Sequence, residues 1–132
     1  MSKLVLEIEA EIDQTHKVEG STGTITMILF HGKVNCDNFK GEILPGAADT
    51  QKELKGKDRT LSARFCLEGT DSNGKMCHMF IENNGTMSGD EMKTTPIILT
   101  DSTALKFMES SKISGTVGAT DKGFVMSFYQ DD

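Results

Sequence analysis

Three features of the sequence predict an all-β protein, a closed or nearly closed antiparallel β-barrel of about eight to ten strands. Apolar and polar residues alternate with period two through most of the chain. Turn-forming residues punctuate it at short intervals, with 13 Gly in 132 residues. Only one short stretch carries helix-start signals. Many short strands at even spacing read as a barrel or a sandwich. Closure is favoured because it removes exposed strand edges.

Segment 3–12 sets Leu4, Leu6, Ile8, Ala10 and Ile12 on one face and Val5, Glu7, Glu9 and Glu11 on the other. A helix would scatter these residues around its circumference, whereas a strand stacks them. Segment 24–30 alternates Ile25, Met27 and Leu29 against Thr24, Thr26 and Ile28. Segment 61–68 alternates Leu61, Ala63, Phe65 and Leu67 against Ser62, Arg64, Cys66 and Glu68. Ser72-Asn73-Gly74-Lys75 reads as a type I′ hairpin, which needs positive φ at both central residues. If Asn73 and Gly74 form that loop, Ser72 pairs with Lys75. Arg64 then stands opposite Asn83, and Phe65 opposite Glu82. Asp101-Ser102 is a cap for a short helix over 103–109, with Leu105 and Met108 inward. Asp121-Lys122-Gly123 joins 112–119 to 124–129, where Phe124, Met126 and Phe128 share a face. No linker divides the chain, so residues 1–132 form a single β-barrel domain.

Composition narrows function by exclusion. Lys and Arg total 14 against 20 Asp and Glu, a net charge of −6. That balance excludes nucleic acid as a partner. Lys52, Lys55, Lys57 and Arg59 cluster, but Glu53 and Asp58 sit among them, which reads as a solvated loop. Glu7 and Glu9 interrupt the apolar start, so it is no signal peptide. No apolar run reaches membrane-span length, and no membrane partner is expected. Cys36, Cys66 and Cys77 are odd in number and far apart, hence reduced thiols in a cytoplasmic protein. His16, His31 and His78 lack metal-ligand spacing, and no phosphate-binding loop or nucleophile motif occurs. Neither metal nor cofactor is expected. The abundant Met residues fit either core filling or an adaptable pocket.

Four stretches in register carry a resemblance. They are Leu44-Pro45-Gly46-Ala47-Ala48-Asp49-Thr50-Gln51, Leu61 to Glu68, Met79 to Gly85, and Thr95-Pro96 with a closing Phe128-Tyr129. Together they resemble domain-of-unknown-function family 3237, also called uncharacterised protein family 0311, over nearly the whole chain. The resemblance implies a small single-domain β-barrel and no established activity. The chain departs from the pattern at Thr50, where the family usually has Trp, and at Ala47, where it has Gly. It also departs at Phe65 (Tyr), at Glu82 (Arg) and at Phe107-Met108-Glu109 (Trp-Leu-Asn). A pocket-lining Trp at position 50 would mean a different ligand here.

A barrel of this size leaves a small lumen or mouth as the place for a ligand. Asp49, Gln51, Arg64 and Asn83 are the candidate binding residues, a polar cluster suited to a carboxylate or carbonyl. The alternative is that Asp49–Arg64 is a structural salt bridge locking the 44–51 loop, since a buried guanidinium must be paired. Asp49 and His78 are the candidate catalytic bases. Three functions follow: a barrel binding a small, partly apolar organic molecule; a cofactor-independent isomerase, cyclase or lyase in the same pocket; and a non-catalytic interaction module. The chain is expected to be a monomer or a homodimer.

Overall fold

The computed structural model describes residues 2–88 and 91–132. Its strands are β1 (Lys3–Gly20), β2 (Gly23–Asn35), β3 (Phe39–Ile43), β4 (Ala48–Leu54), β5 (Thr60–Asp71), β6 (Met76–Ser88), β7 (Glu91–Thr100), β8 (Ile113–Ala119) and β9 (Gly123–Gln130). One helix, α1 (Phe107–Ser110), lies between β7 and β8. All pairings are antiparallel, in the order β1-β9-β8-β7-β6-β5-β3-β2-β4, with β1–β2 and β5–β4 closing the sheet into a ring. β3 and β4 share one place. Each pairs with a different part of β2 on one side and of β5 on the other.

Alternation sets the interior. Leu61, Ala63, Phe65 and Leu67 point inward from β5, and Met126 and Phe128 from β9. In β1 the register with β9 shifts between Leu4 and Leu6. This bulge buries both Val5 and Leu6 and exposes Leu4, so the simple alternation of segment 3–12 breaks there. Gly41 and Gly69 face each other across β3 and β5. A Cβ on Gly41 would lie 2.1 Å from the Glu68 carbonyl oxygen, so only glycine permits that approach.

The β5–β6 hairpin differs from the sequence expectation. Asp71 N–H donates to the Lys75 carbonyl, and Gly74 N–H donates to the Asp71 carbonyl. The loop is therefore three residues long, Ser72 to Gly74, and only Gly74 has positive φ, at 74°. The Asp71 carboxylate forces this form by accepting N–H bonds from Asn73 (2.9 Å) and Lys75 (3.1 Å). The register moves by one residue: Arg64 pairs with Glu82, Phe65 with Ile81, and Ala63 with Asn83.

The β7–β8 seam is short, with Lys93 opposite Thr116 and Thr94 opposite Gly115. Pro96 follows and has no N–H to continue the ladder. The segment carrying α1 packs there instead, burying Leu105 and Met108. The helix is shorter than expected. Ser102 still acts as a local cap, its Oγ accepting the Leu105 N–H at 3.2 Å. Ser102 Oγ also donates to Asp71 Oδ2 at 2.7 Å, tying this plug to the hairpin turn.

At this end Phe39, Leu67, Met79, Leu105 and Phe128 are fully buried in the interior. At the other end β1 runs on past its last pairing with β9 as an arm held by β2, which is itself paired with β4, and Val18 is exposed there. The three cysteines are free, with Cys66 exposed and Cys77 buried. Among the described residues, no helix is long and apolar enough to cross a membrane.

Candidate functional site

At the arm end the barrel is not filled. A cavity of about 400 Å³ opens among Ile28, Leu61, Met87, Met92, Val117 and Phe124. Its polar residues come from the inward faces of β4 and β6 and from Arg59, just before β5. Asp49 pairs with Ala63, and Ala63 with Asn83, so these three form one row across the wall. The small Ala63 side chain leaves room between the two polar ones. Gln51 enters one step along β4.

Asp49 is buried at 6% exposure. Its Oδ2 accepts Gln51 Nε2–H at 2.9 Å. Gln51 Oε1 in turn accepts from Arg59 Nη2. Arg59 Nε also lies 3.3 Å from Glu53 Oε1. Gln51 thus stands between carboxylate and guanidinium and bonds to both. Burial pushes the Asp49 carboxyl above the ordinary carboxylate range. The Gln51 bond, the Ser62 backbone N–H and the Arg59 charge oppose part of that rise.

Asn83 is fully buried, yet neither its Oδ1 nor its Nδ2 has a hydrogen-bond partner in the protein. Asp49 Oδ1 is also buried without one. Such groups are costly when unsatisfied. Here Asp49 and Asn83 line the same cavity.

The structure brings together three of the four residues expected from sequence. Asp49, Gln51 and Asn83 line the cavity; Arg64 does not. The alternation of β5 sets Arg64 on the outer wall, and the one-residue register change puts Asn83 beside Ala63 on the opposite face; the Arg64 side chain is 68% exposed and its Nε lies 2.9 Å from Glu82 Oε2. The Asp49–Arg64 bridge does not form. Arg59 takes the cavity position instead. It was legible in principle, since it continues the inward parity of Leu61, Ala63 and Phe65, but the neighbouring lysines made it look like solvated loop. His78 is also on the outer wall, between Glu68 Oε2 (3.0 Å) and Asp101 Oδ2 (3.1 Å). These carboxylates raise its pKa, Glu68 first. It cannot serve as a base for a molecule in the cavity. His31 is similarly held by Asp13 and Glu11 outside the barrel. Thr50 faces outward, opposite in parity to Asp49 and Gln51, so its departure from the family pattern leaves the cavity wall unchanged. Among the described residues no cluster of His, Cys, Asp and Glu is arranged to hold a metal.

Fold and site define a small barrel-like all-β protein with a polar-backed, apolar-walled cavity at one mouth. The chain belongs to the DUF3237 family of proteins of unknown function, whose profile matches residues 2–110. A protein of unknown function from Clostridium acetobutylicum shares the fold at TM-score 0.84 and 24% identity, over 100% of this chain and 99% of that one. A conserved protein of unknown function from Rhodopseudomonas palustris does so at 0.76 and 18%, over 98% and 96%. A beta-barrel like protein from Acinetobacter baumannii does so at 0.72 and 15%, over 98% and 96%. No curated protein matches the chain.

Proposed function

We propose that the barrel mouth binds a small, uncharged, partly apolar organic molecule. The observation that carries this reading is Asn83, fully buried with both amide groups unpartnered at the cavity wall. A ligand offering both a donor and an acceptor would satisfy it. Asp49 Oδ1 offers a second acceptor two strands away. Of the carboxylate or carbonyl expected from sequence, the carboxylate fits less well. Arg64 is absent from the cavity, and Arg59, which lines it, already bonds Gln51 and pairs with Glu53, although its Nε has no hydrogen-bond partner. An anion would sit beside the Asp49 carboxyl and share that one lining guanidinium with Glu53. Met87, Met92 and Phe124 supply an adaptable apolar wall for the ligand body. The three free thiols fit a reducing, cytoplasmic setting.

Native mass spectrometry of protein isolated from its own cells tests this. The wild type should carry a small-molecule adduct that survives Arg64→Ala and disappears in Asn83→Leu. An adduct indifferent to Asn83→Leu, or none at all, argues against the reading.

A second reading is proton-transfer catalysis without a cofactor. A carboxyl held toward its neutral form in a cavity is favoured by Asp49, with Asn83 Nδ2 placed to donate to a developing oxyanion. Under this reading Asp49→Asn keeps the adduct and abolishes its turnover.

A further inference from the structure

We infer that the outer wall of β5, β6 and β7 is a two-fold interface between copies of this chain. Cys66 pairs with Phe80, and Phe80 with Leu99, so these side chains form one outward row. Leu44, whose N–H donates to the Cys66 carbonyl, extends the row by another segment. Leu99 is 59% exposed, and Ile97 beside it is 55% exposed. Grouped large apolar side chains on an outer sheet face mark a contact surface.

The charges around the row identify a second copy as the occupant. On one side of it lie Arg64 and Glu82, paired across β5 and β6. On the other side lie Glu68 and His78, also paired across those strands. Consider two copies stacked face to face with the two-fold axis along the row. The apolar row then meets itself. Each position two residues before the row meets the partner's position two residues after it. Arg64 therefore faces Glu68 of the partner subunit, and Glu82 faces the partner subunit's His78. Both contacts join opposite charges when His78 is protonated, which its two carboxylate neighbours favour. Arg64 can reach across while its Nε stays paired with Glu82, since its guanidinium is largely exposed and keeps further N–H donors. The charged positions of β5 and β6 are complementary to themselves, as an isologous interface requires, while beside them Ile97 comes opposite the partner subunit's Asp101.

The arm offers a competing apolar patch at Val18, Ile25 and Met27, with the Lys17–Glu19 ion pair on either side of Val18. The two are separated by sedimentation equilibrium on the full chain. The wild type should be a dimer, Leu99→Lys should be monomeric, and Val18→Lys should remain dimeric. Arg64→Glu should weaken the dimer by about tenfold or more, because it faces Glu68 of the partner subunit with a like charge. Exchanging both pairs together, Arg64→Glu with Glu82→Arg and Glu68→Arg with His78→Glu, keeps opposite charges within each chain as well as across the interface and should restore it. Circular dichroism confirms that each variant is folded, and every substituted site is on the outer surface. A monomeric wild type, a dimer broken by Val18→Lys but not by Leu99→Lys, or a charge exchange that fails to restore association overturns the inference.

Discussion

Asp49 and Asn83 face one cavity from strands that are not neighbours, in a single row with Ala63 between them. Neighbouring strands lie about 4.8 Å apart, so the two backbones are separated by roughly 10 Å. The polar side chains close part of that distance from either side. The row concentrates unsatisfied hydrogen-bonding capacity where the barrel is least filled, a feature of binding sites rather than of cores optimised for stability.

A stability gain at the expense of binding is therefore expected from Asn83→Leu. The substitution removes two unsatisfied buried groups and keeps nearly the same volume. Denaturant unfolding should show the variant more stable by about 1–3 kcal/mol. A loss of stability instead would mean that the amide is satisfied in solution.

Asp49 gives stability a defined pH dependence. Burial raises its pKa in the folded chain above the unfolded value. Between those two values the folded chain binds more protons than the unfolded one. The contribution of Asp49 is therefore present at low pH and lost as pH rises through the raised pKa. Asp71, Asp101 and Asp131 are held low and act in the opposite direction, so the comparison must be with a variant. Unfolding midpoints of wild type and Asp49→Asn, measured from about pH 4 to about pH 8, should diverge in favour of Asn as pH rises. Parallel curves would contradict the assignment.

Gly74 holds the register on which the site depends. Its φ of 74° is strained for any residue with a Cβ. Gly74→Ala should cost about 1–2 kcal/mol, read by thermal or urea unfolding. Open space around that position means the cost is conformational and not steric. An unchanged stability would show that the turn relaxes to another form.

Much of the barrel was legible because alternation is a local property. The runs Leu61–Leu67 and Phe124–Phe128 announced which residues share a face, and they do. The site was legible only in part. Asp49, Gln51 and Asn83 were found by residue type and by their place in the chain. Arg64 was wrongly grouped with them because Asn73-Gly74 favours a two-residue loop on propensity alone. The Asp71 carboxylate accepts two loop N–H groups and selects the three-residue form. Arg59 was overlooked although its parity with Leu61 pointed inward.

The sequence by itself determined that this chain is a set of antiparallel strands wound toward closure, with Leu105 and Met108 turned inward from a short helical plug. Period-two patterning encodes that strand by strand. Only the tertiary structure decided which polar residues share the cavity. In a strand, a slip of one residue carries a side chain to the opposite face. The register was set by a single carboxylate in a turn, and it separated Arg64 from Asn83 by the thickness of the wall.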